Sequence, residues 1–181
     1  MSDFAPTIGR DAISSIRARA LFDWWVAKRG AQPMPMRGGY HAEELAAWWP
    51  DLILYDVEND GGKSRLRFRV HGDNAVRADG GNFTGRFLDE VLAPESIHLI
   101  LDCYAAVLET RKPLYTRSHR FSREGHNIGF ERLLLPFGDG PVLQVLAYLV
   151  RIAGARADPA EGNLPDLRGD YVNDILAFVA P

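Results

Sequence analysis

The sequence predicts an α+β fold: an antiparallel sheet of about five strands, helices packed on one face, and an N-terminal helix covering the other. Three observations carry this. Two strand-like runs joined by a glycine-rich turn precede residue 72, and three more follow residue 113. Between the two groups lies one long run with apolar residues at helical spacing. The last strand-like run, residues 142–152, is apolar at nearly every position, so both of its faces need cover.

Residues 11–29 read as the N-terminal helix. Ile13, Ile16, Ala20, Leu21, Trp24 and Trp25 recur at helical spacing. Asp11 suits the start, Lys28 and Arg29 the last turn, and Gly30 the stop. Pro33 and Pro35 make residues 31–39 a connector. Residues 41–49 read as a short helix ended by Pro50. Runs 52–57 and 66–71 flank Asn59-Asp60-Gly61-Gly62-Lys63 and predict a hairpin. In its second strand Leu66, Phe68 and Val70 alternate with Arg65, Arg67, Arg69 and His71, giving one apolar face and one basic face. Residues 94–111 form the long helix, with Pro94 near its first turn and Pro113 beyond its end. Runs 114–121, 128–137 and 142–152 follow, separated by turn-forming residues, and predict an antiparallel meander. Residues 153–164 read as loop, and residues 170–179 as a short terminal helix.

Composition narrows the class. The chain has 181 residues, which favours one domain with terminal extensions: a helix and connector over 1–40, a core over 41–152, and a loop and short helix over 153–181. A formal net charge of -3 gives no global reason to expect nucleic acid as a partner. The single cysteine, Cys103, cannot form an internal disulfide and suits a reducing compartment. The N-terminus lacks a basic start and an apolar run, so no secretory signal is expected. No apolar stretch reaches membrane-spanning length. The expectation is a cytoplasmic protein without membrane insertion.

The order of two strands, short helices, a long helix and three strands resembles a PAS domain. Phe22-Asp23-Trp24-Trp25, the run from Leu66 to Asp73, Phe83-Thr84-Gly85-Arg86, and Glu131-Arg132-Leu133-Leu134-Leu135-Pro136 are similar to a bacterial group of short stand-alone PAS proteins. The resemblance covers roughly residues 20–152. It implies a sensory or protein-interaction module, with no agreed catalytic residue and no agreed cofactor.

The familiar cofactor chemistries do not fit these residues. Cysteinyl-flavin photochemistry needs a cysteine near the glycine-rich bend at residues 80–85, and Cys103 lies instead in the long helix. A haem ligand from that helix would have to be His98, which falls on its polar side. His41, His71, His98, His119 and His126 form no close ligand pair, so no metal site is expected. The glycine-rich bend lacks the Gly-Lys-Ser/Thr ending of a phosphate loop, and no Gly-x-Ser-x-Gly occurs.

Five polar residues are expected to border an inner pocket: His71 and Asn74 at the strand-to-helix junction, Tyr104 on the long helix, Arg132, and Tyr148 on the last strand. Arg132 stands in an otherwise apolar strand. If it points inward it needs a carboxylate partner other than Glu131, because adjacent strand residues face opposite ways. Leu21, Trp24 and Trp25 are expected to cover the sheet within the chain or across a homodimer. The leading expectation is a regulatory domain that binds a small molecule or a signalling protein and acts in trans. A ligand-free interaction module is a second reading. A small enzyme using His71, Tyr104 or Arg132 as acid, base or anion holder is a third.

Overall fold

The computed structural model describes residues 5–92, 94, 97–122, 127–140, 142–152 and 167–181. Among them three α-helices and seven strands form one α+β unit. The strands are β1 (Thr7–Ile8), β2 (Leu52–Asp60), β3 (Lys63–His71), β4 (Leu114–Ser122), β5 (Asn127–Asp139), β6 (Val142–Ile152) and β7 (Leu167–Val179). The helices are α1 (Ile16–Arg29), α2 (Asp73–Asp79) and α3 (Ile97–Thr110). The sheet order is β1-β7-β4-β5-β6-β2-β3, antiparallel except for β1 beside β7. No described helix is long and apolar enough to cross a membrane.

Three expectations need correcting. The sheet has seven strands, where about five were expected. The terminal segment expected as a helix over 170–179 is part of β7, paired with β4 from Leu114↔Phe178 to Ser122↔Leu167. Its apolar run Ile175-Leu176-Ala177-Phe178-Val179 has no decisive period, so the unpaired edge of β4 settles its state. The helix expected over 41–49 is a 3-10 turn at Ala42–Leu45, followed by another at Trp49–Asp51. The loop expected over 153–164 lies outside the described residues, as does His126.

Helix α1 begins later than the spacing suggests. Ser15, not Asp11, caps it, its hydroxyl accepting from the Ala18 N–H at 3.1 Å. Ala18, Leu21, Phe22 and Trp25 are buried, the i, i+3, i+4, i+7 stripe of a half-covered helix. They pack with Tyr115, Leu133, Leu135, Phe137, Leu146 and Tyr148 on one face of the sheet. Helix α3 places Ile100, Cys103, Tyr104 and Val107 against Tyr55, Phe68, Leu134, Val145 and Ala147 on the other. Strands β5 and β6 therefore sit between two apolar layers, which explains their near-continuous hydrophobic runs.

The β2–β3 hairpin turns at Gly61 and Gly62, with φ of +56° and +85°. Two consecutive positive φ values match the twist of the flanking strands, and glycine adopts them without strain. Further along, the register passes from Tyr55↔Phe68 to Leu54↔Val70, leaving Arg69 unopposed. This β-bulge exchanges the two faces. Val70 packs with the α1 layer and His71 is buried beside Phe68 in the α3 layer. The strict alternation read from the sequence, with His71 on a basic face, therefore stops at Arg69.

Candidate functional site

Gly72 delivers His71 to the α3 layer. It joins β3 to α2 against the chain at Trp49 and Pro50, where a Cβ would stand 2.6 Å from the Pro50 carbonyl oxygen. The His71 side chain is fully enclosed. The Phe83 N–H donates to its Nδ1 at 3.2 Å, so the proton resides on Nε2, which lies 3.0 Å from Asp79 Oδ2 and donates to it. The imidazole lies between Phe68, 5.1 Å away, and Phe83, stacked at 5.8 Å.

From His71 the rings continue inward. Phe68 meets Tyr55 at 4.7 Å, and Tyr55 meets Tyr104 edge-on at 5.2 Å. Both tyrosines are buried. Burial pushes the Tyr104 hydroxyl up to about 12, against the lowering effect of Arg132. Burial also holds Tyr55 well above the ordinary tyrosine range. Arg132 is half-buried on the same face of β5, in register between Thr116 of β4 and Leu149 of β6. Its charge acts on Tyr55, Tyr104 and the Cys103 thiol, which burial pushes up.

The structure thus brings three of the five candidates to one face: His71, Tyr104 and Arg132. Asn74 is exposed on α2 and donates to Asp51 Oδ1 at 2.7 Å, tying α2 to the turn ahead of β2. Tyr148 belongs to the α1 layer, because Ala147 takes the α3 side of β6. Leu21 and Trp25 are fully buried inside the chain, and Trp24 packs on Tyr40 and Phe137. A dimer using those three side chains would have to undock α1. The basic strand positions are ion-paired near the surface: Arg65 with Asp89, Arg67 with Glu58, Arg69 with Asp56. His98 is exposed. Among the described residues no group of three His, Cys, Asp or Glu side chains is placed to hold a metal ion.

Sequence reasoning missed Tyr55, Asp79 and Phe83, which complete the surroundings of His71 and Tyr104. It also passed over Glu131. The Glu131 side chain faces α1, and the residue has 0% exposure. Its Oε1 accepts from the Tyr115 hydroxyl at 2.8 Å and from the Ser15 N–H at 3.0 Å. The Tyr115 oxygen in turn accepts from the Ser14 N–H at 3.1 Å. The signal for Glu131 in the sequence is the same as for Arg132, a charged residue inside an apolar strand. The other end of α1 is fixed by Trp25, whose indole N–H donates to the Pro136 carbonyl at 2.8 Å. The Ser15 and Trp25 bonds both run to β5, and Arg17 and Trp24 tie the helix to residues 44–48 as well.

No curated protein matches the chain. Among solved structures, an RNA-binding light-oxygen-voltage receptor aligns at 16% identity and a TM-score of 0.37. That alignment covers 65% of this chain and 35% of the receptor chain, so this chain spans about a third of it. The family model described as PAS domain matches residues 13–157, and the chain belongs to that family of sensory domains.

Proposed function

We propose that the chain is a sensory module whose input lies at His71, Tyr104 and Arg132 and whose output is helix α1. The observation that supports this is the alternation of β5. Arg132 lies on the α3 side of β5 with Leu134, close enough for its charge to act on Tyr104, while its neighbour Glu131 holds the first residues of α1 on the other side. A small molecule bound under α3 that moves β5 must change the fastening of α1, because strand neighbours share one backbone. Its polar anchors would be the Arg132 guanidinium and the Tyr104 hydroxyl. The readout would pass to a signalling protein in trans.

Native mass spectrometry of freshly purified chain tests the input. The expected result is a co-purified small molecule that Arg132→Ala and Tyr104→Phe both weaken. A bare wild-type chain would favour a ligand-free interaction module. That second reading draws on the continuous ring packing from Phe83 through Phe68 to Tyr104, with centroid separations of 4.7 to 5.8 Å.

A further inference from the structure

We infer that residues 82–84 form a lid over His71, hinged at Gly80 and Gly85, with Phe83 as its plug. The inference deepens the sensory reading above and concerns access to that site. It rests on how unequally this stretch is held. Before it, α2 is tied down by Asn74 and Asp51. After it, the chain is bonded to the edge of β3: the Gly85 N–H donates to the Phe68 carbonyl at 2.7 Å, and the Phe68 N–H donates to the Arg86 carbonyl at 3.0 Å. Phe87 is then clamped between the guanidinium groups of Arg65 and Arg67, at 3.7 and 4.0 Å from its ring centre.

Between these anchors, the lid reaches the core through Phe83. Its N–H meets His71 Nδ1, and its ring rests on His71 and Phe68. The Phe83 carbonyl accepts from the Arg86 N–H in a local turn, and Thr84 bonds back to Asn82 within the lid. Asn82 and Thr84 face solvent. Gly80 and Gly85 have φ of +75° and +88°, where glycine moves freely and other residues are strained. Swinging the lid breaks the bond to His71, the local turn bond to Arg86 and the bond from the Gly81 N–H to the Val76 carbonyl, and lifts the Phe83 ring from the Arg86 guanidinium, while the bond from the Phe68 N–H to the Arg86 carbonyl at the β3 edge stays. It bares an imidazole that is otherwise wholly enclosed. What replaces Phe83 must supply both of its contacts: a planar apolar group on the His71 and Phe68 rings, and an N–H or O–H for His71 Nδ1 in place of the Phe83 backbone N–H.

The test is pulse labelling of the full chain with diethyl pyrocarbonate, read by peptide mass spectrometry, with exposed His41 and His98 as internal standards. The expected result is that wild-type His71 labels faster than the chain globally unfolds, as timed by exchange of the buried Leu134 amide. Phe83→Ala, or Phe83→Leu if the alanine variant folds poorly, should raise the His71 rate about tenfold or more relative to His98. Labelling of His71 only at the global unfolding rate, or a rate that Phe83 variants leave unchanged, overturns the lid. The sensory reading fails separately. A chain without co-purified mass that still labels at His71 keeps the lid and loses the sensor, and the converse holds as well.

Discussion

At the scale of single residues, the site depends on two kinds of crowding. Gly72 has no room for a methyl group against the Trp49 and Pro50 carbonyls. Gly72→Ala should cost about 3 kcal/mol in a denaturant titration, the range of overpacked cores, and should loosen α2. The buried tyrosine pair makes the second case. Tyr104 titrates near 12 in the folded chain, against an ordinary 10.0. The unfolded chain therefore releases this proton first as pH rises. The contribution is intact below pH 10 and is lost between 10 and about 12, with a slope of about 1.4 kcal/mol per pH unit. Stability across that window should fall less steeply in Tyr104→Phe, the remaining slope coming from Tyr55 and the other buried tyrosines. His71 and Tyr104 could be nominated from the sequence because each is a polar residue at an apolar junction. Their partners Tyr55 and Phe83 could not, since an aromatic residue in a strand or bend looks the same whether it packs on leucine or on imidazole.

At the scale of elements, α1 is the best example of a helix fixed by its tertiary contacts. Its apolar stripe is readable, but its fastenings are not, because they pair Ser14 and Ser15 with Tyr115 and Glu131, more than a hundred residues away. Tyr115→Phe removes the hydroxyl that bonds both Ser14 and Glu131 and leaves the buried Glu131 Oε1 with the Ser15 N–H alone. The expected loss is about 1–3 kcal/mol, with faster amide exchange at the start of α1 than at its Trp25 end. Uniform exchange along α1 would count against Glu131 as the fastening. Strand β3 teaches a related lesson. The hairpin turn was written in Gly61-Gly62, whereas the bulge at Arg69 carries no local signature and follows from the need to bury His71 and Val70 on different faces.

At the scale of the whole molecule, both terminal segments belong to the sheet. Strand β7 covers the edge of β4, and β1 runs beside its last residues. Removing residues 167–181 would expose the backbone edge of β4 beside Leu114 and Tyr115, a template for intermolecular pairing. Light scattering of that truncation should show concentration-dependent association that the full chain lacks. A monodisperse truncated chain would mean that β4 does not need its partner. The two-layer burial of β5 and β6 has the same origin: the sheet is a partition, with α3 on one side and α1 on the other.

The sequence by itself determined the strands β2 to β6 and the apolar stripes of α1 and α3. These follow from periodicity and turn chemistry, which act over a few residues. Only the tertiary structure decided that β7 is a strand, that Tyr148 faces away from Tyr104, that Phe83 covers His71, and that Glu131 holds α1. Each of these depends on which surface of a distant element was still unpaired, and that information exists only once the chain has closed on itself.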